Sequence, residues 1–339
     1  MRDFASDVLR ADRPERVLPV TGEFCWSASS HKLFRYCPRA WFYFYYLAQG
    51  GWEIHSREES CHAYLLKYLD TASGFLGRTL QESLKEALLS VLPVQEPSLR
   101  AEELTEAFQR EVTARYFRAL EDVEENRYLR DPKYTSFMEL HYRSGPDQSV
   151  QSFFHTLLEH FNVFFRDFER LSLAESLAVP DPLQWHNRSG EYISFDYGSG
   201  RVILGPALYF FTGKEFHAWK ITAGEDKPEL EDLSPGREKT EEDFSSFLSE
   251  RTLSAFCKVR YGESVPCICH MLHLTGEKLL YRTLHVKPLP EEFIEESRNH
   301  ILKVLHLPGG VRKENFPCCG DPLRCRNCRF RALCDTVKV

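Results

Sequence analysis

The sequence has no long hydrophobic run and no excess of positive charge. None of its windows is apolar enough to span a bilayer, and Met1-Arg2-Asp3 does not resemble the start of a signal peptide. We therefore expect a cytoplasmic protein without a membrane partner. The net charge of −7 argues against indiscriminate binding of nucleic acid over the whole surface. The 339 residues suffice for one large domain or two, with ample apolar content for a core.

Cysteine, by contrast, is plentiful. The chain has 11 cysteines, and in a reducing compartment such a number suggests metal ligation rather than disulfide bonds. One of them, Cys37, stands before Pro38 near the N-terminus, and Cys325, Cys328 and Cys334 follow the spacing C-x2-C-x5-C near the C-terminus. Four thiolates of this kind can hold an iron–sulfur cluster or a structural zinc ion. Such a site would tie the first helix to the C-terminal tail.

The other cysteines have a simpler interpretation. Five of them are predicted to be small buried core residues: Cys25, Cys61, Cys257, Cys267 and Cys269. Two more, Cys318 and Cys319, lie near the C-terminal motif but outside its spacing, and their role stays open.

Basic residues crowd around both parts of the cysteine motif. The candidates for contacts with nucleic acid are Lys32, Arg35, Arg39, Arg326, Arg329 and Arg331. If the two parts of the motif meet, these side chains converge on one basic patch. Two explanations remain open, because such a patch can compensate thiolate charge or contact a DNA backbone.

Hydrophobic periodicity predicts an α/β protein with a helical block before a mixed sheet. Helices are predicted at about 60–127, 149–172, 241–260 and 291–305, and strands at 192–197, 201–211, 214–222, 265–274 and 279–286. We predict an N-terminal segment with the first cluster cysteine (1–59), a helical region (60–185), an α/β core (186–310) and a cysteine tail (311–339).

Several motifs together resemble the iron–sulfur branch of the PD-(D/E)XK nucleases. They are Ser27-x-Ser-x-x-Lys-x-Phe34-x-x-Cys37-Pro38-Arg39, the aromatic run at 41–46, Gly50-Gly51-Trp52-Glu53 and the terminal C-x2-C-x5-C. That branch includes RecB-like CRISPR-associated exonucleases and the nuclease domain of AddB-type helicase–nucleases. The resemblance covers residues 25–89 and 190–334 and implies a restriction-endonuclease-like mixed sheet flanked by helices, with a large helical insert.

The resemblance also implies a cofactor. In such nucleases four cysteines hold a structural 4Fe-4S cluster, and Cys37, Cys325, Cys328 and Cys334 occupy those positions. The resemblance favours this cluster, whereas the spacing alone is equally compatible with zinc.

The active site is where this chain departs from the family. Carboxylates there hold Mg²⁺ or Mn²⁺ against the scissile phosphate, beside a lysine. Gln81 stands where the family's helix has histidine, and Ala207 and Ala218 stand where its strands have metal-binding aspartates. Among these motif positions only Lys220 is kept. A hard cation should therefore bind weakly, at a loss of several kcal/mol in transition-state stabilisation.

Two details of the degenerate site depend on the strand register. Ser249 and Leu253 fall where the family's next helix has Gln-x-x-x-Tyr. If the strands are shifted, Glu215, Asp196 and Glu225 are nearby carboxylates that would restore a metal site. Lys220 either contacts a phosphate as a point charge or is an ordinary lysine at the end of a strand.

The leading hypothesis is a catalytically inactive pseudo-nuclease that carries an iron–sulfur cluster. It would bind DNA, as single strands or ends, or a helicase or nuclease partner, in DNA repair or antiviral defence. One alternative is an active Mg²⁺- or Mn²⁺-dependent DNA exonuclease with displaced ligands. Others are a structural subunit that recognises protein through its helical region, and a cluster that senses redox state.

Overall fold

The computed structural model describes residues 25–53, 55–91, 94, 96–142, 149–178, 185–186, 192–198, 200–205, 207–224, 247–307 and 311–334. The chain divides into two compact units. Unit 1 comprises Met1–Leu69, Gly198–Arg201 and Glu291–Val339, and unit 2 comprises Asp70–Tyr197 and Val202–Pro290. The predicted N-terminal segment and cysteine tail thus fall in unit 1, and most of the predicted helical region and α/β core falls in unit 2.

Helices dominate the described residues. They are α1 (Ala28–Tyr36), α2 (Pro38–Phe42), α3 (Glu58–Tyr68), α4 (Ala72–Val91), α5 (Pro97–Glu124), α6 (Met138–His141), α7 (Val150–Arg170), α8 (Leu173–Ala178), α9 (Leu248–Tyr261), α10 (Glu291–Leu305) and α11 (Pro322–Arg326). A π-helical turn, Tyr43–Leu47, follows α2 directly. Among these helices none is both long and apolar enough to cross a bilayer.

The strands form two sheets. They are β1 (Trp185–His186), β2 (Ile193–Tyr197), β3 (Gly200–Leu204), β4 (Leu208–Phe211), β5 (Phe216–Ala223), β6 (Cys267–Leu274) and β7 (Leu279–His285). The five-stranded sheet has the order β1-β4-β5-β6-β7, and β2 and β3 form a separate pair. In the larger sheet β5 and β6 are parallel and the other pairs are antiparallel. A parallel pair needs a crossover connection, and α9 lies in that connection. The predicted mixed α/β class is therefore confirmed.

The two faces of β5 have different neighbours, because successive side chains of a strand point to opposite faces. Trp219 and Ile221 belong to the main apolar core, which also contains the buried sides of α4, α5 and α7. Phe216, Ala218 and Lys220 point to the opposite face, where the Phe216 ring approaches Phe256 of α9. The predicted active-site positions on β5 therefore face α9.

The observed elements refine the predicted ones. The helical stretch predicted at 60–127 consists of three helices, α3, α4 and α5. The single strand predicted at 201–211 is two strands, β3 and β4. Pro206, which has no N–H for a sheet ladder, falls between them in the sequence. The helix predicted at 241–260 is observed as Leu248–Tyr261, and its first residues lie outside the described ones.

Candidate metal centre and the surroundings of Lys220

Cys37 lies at a break between two helices of unit 1. The α1 helix begins after Ser27, whose hydroxyl accepts a hydrogen bond from the Ser30 N–H at 3.2 Å. It ends at Cys37, which is extended with φ −162°. Pro38 then starts α2 at the first helical position, where its missing N–H costs nothing. Because Cys37 lies between the two helices, its side chain belongs to the packing face of neither α1 nor α2.

A series of tight turns arranges the C-terminal cysteines. The Asp321 carboxylate caps α11 by accepting hydrogen bonds from the N–H groups of Leu323 and Arg324 at 2.9 and 3.2 Å. The Cys328 N–H donates to the Cys325 carbonyl at 3.2 Å, which closes a turn directly after α11. Helix capping and turn formation involve residues close in sequence. The spacing of the C-x2-C-x5-C motif therefore determines how its thiols are placed relative to one another.

The structure brings six thiols to one pocket of unit 1. Besides the four predicted ligands Cys37, Cys325, Cys328 and Cys334, the pocket is lined by Cys318 and Cys319. We call these six residues the cysteine pocket. The Cys318 Sγ lies 3.8 Å from the Cys325 Sγ and 3.7 Å from the Cys334 Sγ. The Cys319 Sγ lies 3.7 Å from the Cys325 Sγ.

Cys318 and Cys319 are the pocket residues that the sequence left open. Their Sγ atoms and that of Cys37 all lie within 4.8 Å of one another, a grouping suited to a metal ion. The signal was present in the sequence, since the Cys-Cys pair is separated from the C-x2-C motif by only five residues. The pair lies outside the C-x2-C-x5-C spacing, and for this reason the sequence alone does not assign it to the site.

Burial and mutual repulsion raise the pKa of three of these thiols, those of Cys37, Cys325 and Cys328. Burial, followed by the neighbouring Cys319 and Cys318 thiols, raises the pKa of Cys325 to about 12. Burial also raises the pKa of Cys328 to about 11, with further contributions from Cys37 and Cys334. The pKa of Cys37 is raised chiefly by burial. A bound metal reverses this situation, because a coordinating thiol loses its proton.

The pocket fits a metal of the thiolate-binding class. Thiolates are the preferred ligands of zinc and of iron–sulfur clusters, whereas magnesium and calcium take oxygen ligands. The close triad of Cys37, Cys318 and Cys319, with three further cysteines beside it, can therefore bind a metal. Arg39, Arg324 and Arg331 also line the pocket and place positive charge near the thiolates.

The aromatic run that follows Cys37 packs on the C-terminal tail. The Phe316 ring, fully buried, stacks on Trp41 and Phe42 at centroid distances of 5.8 and 5.1 Å. The Tyr43 ring contacts Phe330 at 5.7 Å, and its hydroxyl donates to the Leu333 carbonyl at 2.8 Å. These contacts bury large apolar surfaces on both sides of the cysteine pocket.

The predicted nucleic-acid-binding residues fall into two groups. Three guanidinium groups donate to backbone carbonyls of unit 1: Arg39 to Phe316 at 2.6 Å, Arg329 to Lys67 at 2.8 Å and Arg331 to Arg326 at 2.6 Å. These three therefore contribute to the local structure. Lys32, Arg35 and Arg326 are exposed, and their side chains are accessible to a ligand.

In unit 2, Lys220 has a partner that the sequence did not predict. Its ammonium group forms an ion pair with the Glu250 carboxylate, at the start of α9. The Glu250 side chain is 4% exposed and that of Lys220 36%. Glu250 directly follows Ser249, the position that the resemblance aligned with a family glutamine. The only carboxylate paired with Lys220 in the described residues thus comes from a helix and not from a neighbouring strand.

The other degenerate positions are also accounted for. Ala218 is buried on β5, on the same face as Lys220, and Ala207 directly precedes β4. The Gln81 side-chain oxygen accepts a hydrogen bond from the Ile221 N–H at 2.8 Å. Since the pairing of β4 with β5 ends at Trp219, Gln81 supplies the acceptor that a further strand residue would have supplied.

Of the carboxylates of the shifted-register hypothesis, the two that lie in the described part of the chain, Glu215 and Asp196, form no ion pair with Lys220. Glu215 lies 3.3 Å from the His217 ring nitrogen Nε2. Asp196 is exposed on β2, in the two-stranded sheet. Glu225 lies outside the described residues.

The predicted core cysteines also divide by location. Cys257, Cys267 and Cys269 are buried in unit 2, whereas Cys25 and Cys61 of unit 1 are partly exposed and lie outside the cysteine pocket. The expectation of full burial is therefore wrong for these last two.

Comparisons with known proteins add no relative. No protein-family model matches the chain, and no curated protein matches its sequence. The fold and the cysteine pocket define a mixed α/β protein with a candidate metal–thiolate centre.

Proposed function

We propose that this protein is a catalytically inactive member of the PD-(D/E)XK nuclease fold that binds nucleic acid. It acts as an accessory subunit in a DNA repair or defence complex. The observation that carries the proposal is the state of Lys220. This residue is held by Glu250, while Ala207 and Ala218 offer no side-chain oxygen for a divalent cation. Cleavage of a phosphodiester by this family's mechanism needs the cation that these positions no longer bind.

The cysteine pocket has a structural role in this proposal. The resemblance favours a 4Fe-4S cluster on Cys37, Cys325, Cys328 and Cys334, with zinc as the alternative filling. Either metal would connect the α1–α2 segment to a tail almost 300 residues later in the chain. The buried aromatic contacts of Phe316 and Phe330 support the same connection.

The nucleic-acid surface is proposed to lie on the exposed cations next to this pocket. Lys32 and Arg35 project from α1, which ends at Cys37, and Arg326 follows Cys325 directly. Three cations on a chain of net charge −7 make a local site and not a general affinity for polyanions. Phosphate contacts of this type give affinity that decreases steeply with salt.

The test is binding of labelled single- and double-stranded DNA, measured by fluorescence anisotropy over a range of salt concentrations. A Lys32→Ala, Arg35→Ala, Arg326→Ala variant should lose at least tenfold in affinity, and its salt dependence should become shallower by about two to three ion equivalents. The matched control replaces three exposed lysines of unit 2 by alanine, Lys214, Lys278 and Lys287, with the same change in charge. Equal losses in both variants would refute the proposed surface.

One observation favours a second function, an active metal-dependent exonuclease. Glu250 is a carboxylate in contact with Lys220, so it can replace one missing strand ligand. Magnesium in such sites is often held by one or two carboxylates together with substrate phosphates and water. DNA cleavage in Mn²⁺ that is abolished by Glu250→Gln would establish this function. Absence of cleavage by the wild-type protein would exclude it under those conditions.

A further inference from the structure

Three aromatic side chains of unit 1 form a row on one side of α3. The Trp52 ring contacts the Tyr64 ring with centroids 5.5 Å apart, and Tyr64 contacts Tyr68, one helical turn later, at 5.1 Å. We call Trp52, Tyr64 and Tyr68 the aromatic row. Trp52 is 60% exposed and Tyr68 39%, so the row presents a large aromatic area to solvent. Aromatic side chains of this size are normally buried, and a contiguous exposed group of them indicates an interaction surface.

The backbone holds Trp52 in this exposed position. Gly50 adopts a left-handed φ of +78°, and its carbonyl accepts a hydrogen bond from the Glu53 N–H at 3.0 Å, which closes a turn. A Cβ on Gly51 would clash with the backbone of α3 and would lie 2.6 Å from the Tyr64 Cβ. Only glycine therefore allows the turn to pass directly over α3. Trp52 is thus positioned before any ligand arrives, which lowers the entropic cost of binding.

Two cations lie on the same side of α3 as the aromatic row. Lys67 is three residues after Tyr64 and Arg57 is seven residues before it, spacings of about one and two helical turns. Arg57, the residue before the first of α3, is exposed. The half-buried Lys67 places its ammonium over the Phe44 ring, 4.7 Å from the centroid. Both side chains therefore place positive charge beside the row, where the backbone of a nucleic acid would need it.

The acidic residues of α3 lie away from the aromatic row. Glu58 and Glu59 are six and five residues before Tyr64, which places them on other sides of the helix. Glu53, in the turn, is exposed and partly offsets the charge of the two cations. The surplus of positive charge at the row is therefore modest, and contacts with an uncharged part of the ligand must supply most of the affinity there.

Unpaired nucleic-acid bases fit this combination best. Proteins that bind single strands stack the bases on aromatic side chains and attract the backbone with nearby cations. A duplex keeps the faces of its bases inside the stack, where the rings of the row cannot reach them. A groove for a protein helix needs an apolar lining. In the described part of unit 1, however, the large exposed aliphatic side chains, Leu307 and Leu323, belong to segments other than α3 and its turn.

We propose that the aromatic row is a stacking surface for the unpaired bases of single-stranded nucleic acid. The inference rests on the proposed function, and it adds that the protein prefers single strands to duplexes and contacts bases as well as phosphates. The row belongs to the same unit as the exposed cations. The Arg329 guanidinium donates to the Lys67 carbonyl at 2.8 Å, which connects α3 to the tail segment that carries Arg326.

The experiment measures binding of the full-length protein to two labelled strands of equal length, oligothymidylate and an abasic deoxyribose-phosphate strand, by fluorescence anisotropy. The wild-type protein should bind oligothymidylate more tightly than the abasic strand or a duplex. Trp52→Ala should lose about fivefold or more in affinity for oligothymidylate, the smaller end of what one base stacked on an aromatic ring contributes. Its affinity for the abasic strand and its salt dependence should not change, because no charge is removed.

Two further variants serve as controls. Trp52→Phe keeps a flat ring and should retain most of the affinity. Phe117→Ala removes an aromatic side chain that is likewise 60% exposed, on α5 of unit 2, and should bind as the wild type does. Equal affinity of Trp52→Ala and the wild-type protein for oligothymidylate would overturn the inference. Self-association that is lost in Trp52→Ala, with unchanged DNA affinity, would instead assign the row to a contact between two copies of the chain.

The outcomes separate this inference from the proposed function. If the wild-type protein binds neither strand, both fail. If alanine substitution of the three exposed cations weakens binding of both strands while Trp52→Ala weakens neither, the cationic surface is supported and the aromatic row is not. Crosslinking of the wild-type protein to a strand that contains iodouracil tests the row without any variant. Crosslinked peptides should contain Trp52, Tyr64 or Tyr68, and crosslinks at other residues alone would overturn the inference.

Discussion

The cysteine pocket of unit 1 and the surroundings of Lys220 in unit 2 differ in how the fold uses their reactive groups. In the pocket, residues from both ends of the chain present the same chemical group to one place. Around Lys220, the ammonium is paired with Glu250 and the Gln81 oxygen is occupied by a backbone N–H. The first arrangement concentrates ligands for an external metal, whereas the second satisfies its polar groups internally. A residue kept from a family motif therefore indicates a functional site only when its polar group is not already bonded to another group of the protein.

The largest expected effect comes from breaking the pocket. Cys328→Ser should release the metal and loosen the C-terminal tail, because structural thiolate sites contribute on the order of 10 kcal/mol of apparent binding energy. Metal content and the thermal unfolding of unit 1 should both decrease. Cys61→Ser is the matched control, since it removes a thiol of the same unit outside the pocket. Unchanged iron or zinc content and melting temperature in Cys328→Ser would contradict the account.

The next effect concerns the ion pair of unit 2. From the sequence alone, Lys220→Ala is expected to leave folding untouched, but the pairing with buried Glu250 changes this prediction. Removing one member of a buried pair costs about 3–5 kcal/mol, and the partial exposure of Lys220 lowers the expected cost to about 1–2 kcal/mol. Urea unfolding of Lys220→Ala, Glu250→Gln and the double variant measures the coupling. Strictly additive effects would show that the pair contributes nothing.

Protonation of His270 of β6 at low pH is expected to reduce stability by about as much as the Lys220→Ala substitution. Burial, and secondarily His217, lowers the pKa of His270 to about 4, so the folded protein holds this ring neutral. The unfolded chain takes up the proton at about pH 6.5, so stability should decrease as the pH falls from 6.5 towards 4. We expect a loss of about 1–2 kcal/mol between pH 7 and 5.

His270→Asn should flatten this pH dependence, measured by urea unfolding at the two pH values. His155→Asn, a change at an exposed histidine of α7, should leave it as in the wild type. An equally steep decrease in His270→Asn would assign the acid sensitivity to other groups.

The smallest effect is expected at Gln81. Gln81→Ala removes the acceptor for the Ile221 N–H and should cost about 1 kcal/mol of folding free energy. Gln81→Glu keeps an acceptor oxygen at the same place and should cost less. DNA binding should not change in either variant. A larger loss of binding than of stability would mean that Gln81 faces a ligand.

The sequence predicted those features that depend on local pattern. The mixed α/β class and the helices predicted at 149–172 and 291–305, observed as α7 and α10, follow from hydrophobic periodicity. The sequence also predicted that Cys37 approaches the C-x2-C-x5-C motif, because one cysteine and a group of three together supply the four thiolates of a metal site.

The features that were missed depend on tertiary packing. Glu250 reaches Lys220 because α9 packs on one face of β5, and no spacing along the chain encodes that contact. Cys318 and Cys319 are neighbours in sequence, and only the fold of the tail shows that both thiols enter the pocket. The alignment with the family motif marks Gln81 as a lost catalytic residue, whereas its position opposite the end of the β4–β5 pairing gives it a structural hydrogen bond.

The most direct test of the contrast between the two sites is hydrogen exchange before and after removal of the metal with a chelator. We expect that amides of residues 28–47 and 311–334 in unit 1 lose protection, whereas those of 72–91 and 267–285 in unit 2 keep it. Absence of bound metal, or equal loss of protection in both units, would contradict the claim that the cysteine pocket is a metal centre that organises unit 1.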